Sequence, residues 1–179
     1  RDRYNNIDNL HSIIKKNRDY IFCALIEPIQ GQDIREIDYN FLEILKSYSK
    51  SNNFLLIFDE FKSGFWRTGH FCYFQSFKDI ISPDILILSK SLGGGILPIS
   101  TFITSKEIFN KSYKKLSEAA LHTTTLGGMA IPCMSAIASI KFIKKGKLLT
   151  YVNENCSYLK KRLDLLCLLY TSDAADDRV

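Results

Sequence analysis

Glu27, Asp59 and Lys90 each stand at or just beyond the end of a short apolar run of the chain. A lysine amine becomes nucleophilic toward an aldehyde when desolvation or nearby cations lower its pKa. A carboxylate in a dry site can stabilise the protonated form of a basic ring nitrogen. Lys90 could therefore react with an aldehyde, and Asp59 could separately stabilise a protonated ring nitrogen.

Simpler explanations exist for the same residues. Asp59 could cap a strand or a neighbouring helix, and a lysine at a strand end is most often a solvated loop residue. An acid after an apolar strand can also bind Mg²⁺ in a P-loop nucleotide hydrolase. Such a protein needs a G-x-x-x-x-G-K-[ST] segment. The glycines at 93–95 are instead followed by Ile-Leu-Pro, which argues against this alternative.

Threonines and glycines supply a second candidate feature. Thr123 to Thr125 precede Gly127 and Gly128 at the start of a predicted helix. Hydroxyls, free backbone N–H groups and the helix dipole together favour a bound phosphate. A threonine N-cap explains the same residues without a ligand.

The apolar pattern predicts the elements that must position these residues. Helical spacing predicts helices over 8–17, 39–48, 106–113, 131–143 and 148–165, with a short one near 71–77. Continuous apolar runs predict strands over 20–26, 54–58, 85–88 and 99–104, buried on both faces. Strands alternating with helices indicate an α/β fold with a mostly parallel sheet. Ligands of such sheets bind beyond the carboxyl ends of the strands, where Glu27, Asp59 and Lys90 are expected to meet.

Composition narrows the class of protein. The chain has 179 residues, 46% of them hydrophobic, and a formal net charge of +5, which is typical of one globular domain. Its basic residues form scattered pairs, so a nucleic-acid partner is not expected. No apolar run is long enough to cross a membrane. Cysteine and histidine spacing predicts no zinc site, and Cys23 and Cys133 are expected to be buried free thiols of a reducing compartment.

The two ends of the chain look unlike natural termini. The chain begins with Arg1 rather than Met, which suggests a natural N-terminus elsewhere. The string CLLYTSDAADDRV at 167–179 resembles the translation of a sequencing adapter. We expect residues 1–166 to be native and 167–179 to be read-through. We also expect a cytoplasmic protein, and a targeting peptide upstream stays compatible with that expectation.

Four ordered segments resemble the class III aminotransferase family, closest to its putrescine- and ornithine-type members. They are Ala24–Gly31 with its Glu-Pro turn, Asp59–Gly69, Pro83–Gly95 and Leu121–Gly128. The resemblance extends from about residue 22 to residue 143. Four motifs in order and with fitting spacings are far more specific than any one of them.

The resemblance implies a fold, a cofactor and a reaction. The fold would be the central part of a three-layer α/β/α large domain of pyridoxal 5'-phosphate (PLP) fold type I. Lys90 would form a Schiff base with PLP and move protons at the substrate α-carbon, and Asp59 would pair with the pyridinium nitrogen. Thr125 would bind the cofactor phosphate across a homodimer interface, and Glu27 would lie near the cofactor. Lys62 stands where most members have a glutamine that contacts the phenolic oxygen.

The implied reaction moves an amino group from an ω-amine or ornithine-like donor to a keto acid. Gln32 replaces a glutamate of ornithine-type members, and with Lys62 it leaves the substrate and the activity open. One alternative is a glutamate-semialdehyde-type aminomutase, against which Arg67–Gly69 and His122–Thr125 argue. Another is a non-catalytic homologue that serves as a dimerisation or interaction module, against which retention of Asp59 and Lys90 argues. Because an N-terminal segment and a small C-terminal domain are expected outside this chain, we expect it to be inactive alone.

Overall fold

The computed structural model describes residues 5–77 and 81–173. The helices are α1 (Ile7–Asn17), α2 (Tyr39–Asn52), α3 (Lys106–Ser112), α4 (Ala130–Lys145) and α5 (Leu148–Asp173), with 3-10 helices at Tyr73–Ser76, Lys90–Gly93 and Leu116–His122. The strands are β1 (Cys23–Ile26), β2 (Leu55–Asp59), β3 (Ile85–Leu88) and β4 (Thr101–Thr104). The chain divides into two compact units, Arg1–Lys141 and Phe142–Val179. The sheet belongs to the first unit, and α5 belongs to the second.

The strands form a sheet in the order β1-β2-β3-β4. β1 pairs with β2 in parallel, with Ala24 opposite Leu56, and β2 pairs with β3 in parallel, with Phe58 opposite Leu86. β4 returns antiparallel along β3. The α/β fold with a mostly parallel sheet is confirmed, and the carboxyl ends of β1, β2 and β3 share one edge.

A hydrophobic core lies between the first two helices and one face of the sheet. Leu42 and Leu56 are fully buried there, because the helical spacing of α2 and the alternation of β2 direct them to the same side. Its buried members are Leu10, Ile14, Ile37, Leu42, Leu45, Phe54, Leu56 and Phe58. Burial of this kind is the main favourable contribution to folding.

Side-chain caps define both helices of this core. The Asn6 side chain accepts a hydrogen bond from the backbone N–H of Asn9, and the Asp38 side chain accepts one from Phe41. α2 ends at Asn52 and is capped by Asn53, which has a left-handed backbone and donates its N–H to the carbonyl of Ser49. These are the polar residues that helix ends favour, so the short connection from α2 into β2 is fixed locally.

Two sequence-based predictions about burial were wrong. β1 begins at Cys23, whereas Tyr20 and Phe22 are 85% and 80% exposed, because the chain first closes α1 with a hydrogen bond from the Tyr20 N–H to the Asn17 carbonyl. The strands are also not buried on both faces. Leu25 is 61% exposed and Phe102 is 53% exposed, on the face opposite the one that α1 and α2 cover.

The cysteines also differ in part from the expectation. Cys23 and Cys133 are only half-buried, whereas Cys72 is buried and Cys156 is exposed, and all four are free thiols. Both half-buried thiols lie on elements that are covered by other residues on only one face.

Among the described residues, no helix has the length and apolar character needed to span a membrane.

Candidate functional site

A cavity of about 300 Å³ lies at the carboxyl ends of the parallel strands. Its lining residues are Glu27, Gly31, Gln32, Asp59, Phe61, Lys62 and Lys90. The volume is at the lower end of the range of small-molecule sites. The structure thus brings together Glu27, Asp59, Lys62 and Lys90, which come from three separate strand-end segments, as the parallel topology predicts.

Asp59 is the last residue of β2 and is half-buried. Its Oδ1 accepts a hydrogen bond of 3.0 Å from the backbone N–H of Phe61, which fixes the orientation of the carboxylate. Within the described ranges, Oδ2 accepts no hydrogen bond. One carboxylate oxygen at the cavity is therefore available to a protonated group of a ligand.

Lys90 begins the 3-10 helix that follows β3, and its side chain is exposed to the cavity. Its Nζ lies 5.4 Å from the centroid of the Phe61 ring, a distance at which a cation is attracted by an aromatic face. Its φ of 46° is left-handed, which is uncommon for a residue with a Cβ and costs about 1–3 kcal/mol. The surrounding contacts must stabilise this conformation.

Hydrogen bonds from neighbouring segments fix the turn that begins at Lys90. The Ser89 hydroxyl donates to the carbonyl of Ile99 at 3.1 Å. The Ser135 hydroxyl, from α4, donates to the carbonyl of Gly93 at 2.8 Å. The turn is thereby attached both to the segment before β4 and to α4.

Lys62 and Glu27 stabilise the turn that follows β1. The Lys62 Nζ donates a hydrogen bond to the carbonyl of Gly31, and the Gly31 N–H donates to Glu27 Oε2 at 2.8 Å. A Cβ added at Gly31 would lie 2.5 Å from the Lys62 Nζ, so the flexible Lys62 side chain would have to move. Lys62 consequently adds a second positive charge to the wall of the cavity.

Glu60 was not singled out from the sequence, yet it is the most deeply buried charged residue described, with 1% exposure. Its carboxylate accepts hydrogen bonds from the Ser63 hydroxyl and from the backbone N–H groups of Tyr73 and Phe74. Burial, and then the nearby Glu60 charge, raises the pKa of the Cys72 thiol to about 12. The alternation of side chains along a strand could have indicated the burial of Glu60, since the residue after Asp59 must face the opposite side of the strand.

Thr125 lies apart from the residues that line the cavity. It is exposed in a turn before the first residue of α4, Ala130. Nearby, His122 Nδ1 lies 2.7 Å from the Tyr113 hydroxyl. The assignment of Thr125 to a phosphate therefore stays a prediction.

Across residues 5–77 and 81–173, no cluster of three His, Cys, Asp or Glu side chains could hold a metal ion.

Comparison with known sequences identifies the family. A model of the aminotransferase class-III family matches residues 2–172. An acetylornithine/succinyldiaminopimelate aminotransferase of Buchnera aphidicola is 33% identical over 165 residues, which are 91% of this chain and 38% of that protein. An acetylornithine aminotransferase of Methanocaldococcus jannaschii is 34% identical over 168 residues, 93% of this chain and 39% of that protein. The chain thus spans 38% to 39% of the length of these curated relatives.

Solved structures show the same likeness. Acetylornithine aminotransferase from Elizabethkingia anophelis superposes with a TM-score of 0.79 at 28% identity, over 92% of this chain and 39% of that one. Ornithine aminotransferase from Toxoplasma gondii superposes with a TM-score of 0.70 at 28% identity, over 82% of this chain and 32% of that one. The active site of that protein is partly occupied by PLP. The chain belongs to the class III aminotransferase family, whose members are PLP-dependent.

The cavity residues fit the requirements of PLP. The cofactor needs an amine that can reach its aldehyde and an acid opposite its ring nitrogen. Lys90 supplies an exposed amine at the cavity, and Asp59 supplies a carboxylate oxygen that no described residue occupies. The cavity volume lies within the range of cofactor sites.

Proposed function

We propose that this chain contains the PLP-binding centre of an aminotransferase, in which the Lys90 amine would condense with the cofactor's aldehyde and release water. One observation supports this proposal above the others: Lys90 and Asp59 line the same cavity at the carboxyl edge of a parallel sheet. A strand-end lysine or a strand-end acid alone has simpler explanations. Both in one cavity match the chemistry that the cofactor requires.

The protein's own residues have distinct tasks in this proposal. When bound, PLP supplies an electron sink that stabilises negative charge at the substrate α-carbon. Asp59 holds a proton at the ring nitrogen, because its carboxylate favours the protonated form. Lys90 would move a proton at the substrate α-carbon through its amine. Lys62 would donate a hydrogen bond to the phenolic oxygen of the cofactor, and Glu27 would orient the turn beside it through the Gly31 N–H.

Other parts of the proposal extend beyond the cavity of one chain. Thr125 binds the cofactor phosphate of a second subunit in a homodimer, which agrees with its exposed position away from the cavity. Residues 1–166 form the central part of the large domain, and 167–179 are not native. The protein acts in the cytoplasm on small-molecule substrates.

The proposed substrates are an amino donor with a terminal amine and a keto acid acceptor. The names of the relatives, acetylornithine and ornithine aminotransferases, support a donor of the ω-amine or ornithine class. A glutamate-semialdehyde-type aminomutase and a non-catalytic homologue are the alternatives. An assay of amino transfer from ornithine, acetylornithine and putrescine to 2-oxoglutarate tests the proposal against both, because neither an aminomutase nor a non-catalytic homologue would transfer an amino group to an external acceptor.

Chemical labelling tests the assignment of Lys90. The protein at its native length is loaded with PLP and reduced with borohydride, and the modified peptide is identified by mass spectrometry. We expect the pyridoxyl group on Lys90, its loss in Lys90→Ala, and its retention on Lys90 in the matched variant Lys62→Gln. A label on Lys62, or a folded protein with no label, would contradict the proposal.

A further inference from the structure

Left-handed backbone conformations occur on all three loops beside the cavity, including Ile34 after β1 with a φ of 55°. Phe65 and Trp66 have φ values of 61° and 60°, and Lys90 has a φ of 46°. Residues with a Cβ adopt this region only where the surrounding structure imposes it, and such residues concentrate at functional sites. The loop that contains Phe65 and Trp66 is connected to the turn of Lys90 by hydrogen bonds.

The loop that contains Phe65 and Trp66, residues 60–74, is closed at its base by Glu60. The Glu60 carboxylate is buried and accepts the backbone N–H groups of Tyr73 and Phe74, each at 3.0 Å. The Ser63 hydroxyl donates to the same carboxylate from within the loop. Hydrogen bonds to a buried charge are stronger than those between neutral groups. We call residues 60–74 the Glu60 loop.

Aromatic packing fixes the middle of the Glu60 loop. The rings of Trp66 and Phe71 have centroids 4.8 Å apart, and those of Phe65 and Phe71 are 5.3 Å apart. The Phe65 N–H also donates to the Phe71 carbonyl at 2.7 Å. Aromatic pairs at such separations stabilise one another beyond their burial. The two left-handed residues are thus held in place directly before Arg67.

Arg67 connects this loop to the turn of Lys90. Its Nε and Nη2 donate to the Ser91 hydroxyl at 3.3 Å and 3.1 Å. Ser91 directly follows Lys90, and its carbonyl accepts the N–H of Gly94 at 3.0 Å. Two donors of one planar guanidinium therefore converge on the residue next to the proposed PLP-binding lysine.

We propose that Arg67 is a positioning residue for Lys90. Its guanidinium, held by the Glu60 loop, fixes Ser91 and so keeps Lys90 in the left-handed conformation that presents its amine at the cavity. Arg67 acts through Ser91, and it contacts neither the cofactor nor the substrate. This inference rests on the proposed function, since it assigns Arg67 a part in the reaction of Lys90 with PLP.

A double-mutant cycle on the protein at its native length tests the proposal. The variants are Arg67→Ala, Ser91→Ala and the combination of both. The rate at which PLP attaches to Lys90 is followed by the absorbance of the bound cofactor and by the borohydride-reduced label. We expect each single change to slow attachment about fivefold, the factor that corresponds to one typical hydrogen bond. The double variant is expected to be no slower than either single variant, because each change removes the same contact between the Arg67 guanidinium and the Ser91 hydroxyl.

Two further variants separate positioning from general damage to the fold. Arg67→Lys can still donate to Ser91, although without the planar fork, so it should recover part of the rate. Arg18→Ala removes another arginine, one that forms an exposed ion pair with Asp19, and should attach PLP at the wild-type rate. If Arg67→Ala fails to fold, Ser91→Ala and Arg67→Lys carry the same test.

The possible outcomes are distinct. Attachment at the wild-type rate in a folded Arg67→Ala or Ser91→Ala variant would overturn the positioning role. Independent effects that multiply in the double variant would also overturn it. A wild-type protein that carries no label on Lys90 would remove the proposed function itself, and the positioning role with it.

Discussion

Asp59 and Glu60 are adjacent acids in very different surroundings. Asp59 is half-buried at the cavity, whereas Glu60 is 1% exposed and accepts three hydrogen bonds inside the protein. The alternation of side chains at the end of β2 explains the difference, because consecutive residues face opposite sides. One acid is consequently available to a ligand, and the other maintains the loop that follows it.

The Cys72 thiol gives a prediction at the same scale. Burial, reinforced by the Glu60 charge, raises its pKa from 9.0 to about 12, and the thiolate is the reactive form. We expect Cys72 to resist iodoacetamide at pH 9 in the folded protein and to react readily in urea. Peptide mapping of alkylated samples measures both states. Equal rates of Cys72 alkylation in the folded and unfolded protein would contradict the prediction.

The same pKa shift has a consequence for stability. The folded protein retains the Cys72 proton up to about pH 12, whereas the unfolded chain releases it near the ordinary value of 9.0. The folded state therefore binds more protons between these values, so the free energy of unfolding decreases as the pH rises from 9 towards 12. In Cys72→Ala this part of the pH dependence should be absent. Urea unfolding of both proteins across this range measures the difference.

Residue roles could be predicted from the sequence only where a strand end and a motif coincided. Asp59 and Lys90 met both conditions, and the structure places them in one cavity. Glu60 and Ser91 lie in the same motifs, yet their roles were not predicted, because Glu60 binds residues at the far end of its own loop and Ser91 binds Arg67 from another loop. Such contacts join residues far apart in sequence, and no local periodicity records them.

At the scale of elements, the surroundings of Gly64 show how tightly the Glu60 loop packs against the ends of β2 and β3. A Cβ at this position would lie 2.7 Å from the Glu60 carbonyl oxygen and 3.1 Å from Leu88 Cδ2. Real Cβ atoms do not approach backbone oxygen this closely, so the loop would have to move. The constraint is one of space and follows from the first turn of the loop, in which the Gly64 N–H donates to the same carbonyl.

Replacement of Gly64 is expected to destabilise the protein. We expect Gly64→Ala to lower the free energy of unfolding by about 1–3 kcal/mol, the usual cost of overpacking. Gly146→Ala is the matched control, because its Cβ would have its nearest neighbour, the Phe142 carbonyl oxygen, at 3.5 Å, an ordinary contact. Urea unfolding midpoints compare the two variants. A Gly64→Ala protein as stable as Gly146→Ala would show that the loop accommodates the methyl group.

The elements themselves were predictable to different degrees. Helical spacing predicted α1 and α2, because each has one apolar stripe that packs against the sheet. The start of β1 was misplaced, because a continuous apolar run does not mark where strand pairing begins. The antiparallel direction of β4 was not predicted, although the short connection from β3, which contains no α-helix, favours it.

For the molecule as a whole, exposed apolar side chains are a prominent feature. They occur on the open side of the sheet, on α4 and on α5, and include Leu25, Phe102, Ile131, Met134, Tyr158 and Leu159. Large apolar patches on a soluble protein mark surfaces that interact with other protein or that promote aggregation. The sequence predicted the apolar residues themselves but not their exposure.

We expect the chain of 179 residues to be inactive when produced alone. We also expect it to aggregate through its exposed apolar side chains. We expect no measurable amino transfer from ornithine to 2-oxoglutarate, and strong binding of the dye ANS to the exposed apolar side chains. The protein at its native length is the control, and it should bind less dye per molecule. Turnover by the 179-residue chain itself would refute this prediction.

The parallel arrangement of β1, β2 and β3 also determines when the cavity can exist. Its residues follow three different strands, and parallel strands pair only after long crossover connections have closed, which is slow. During synthesis the cavity is therefore absent until β3 has left the ribosome and paired with β2. A shift of β3 by one residue would turn its side chains to the opposite faces of the sheet and displace the turn that begins at Lys90. Attachment of PLP to Lys90 would therefore indicate that β3 has paired with β2 in the correct register.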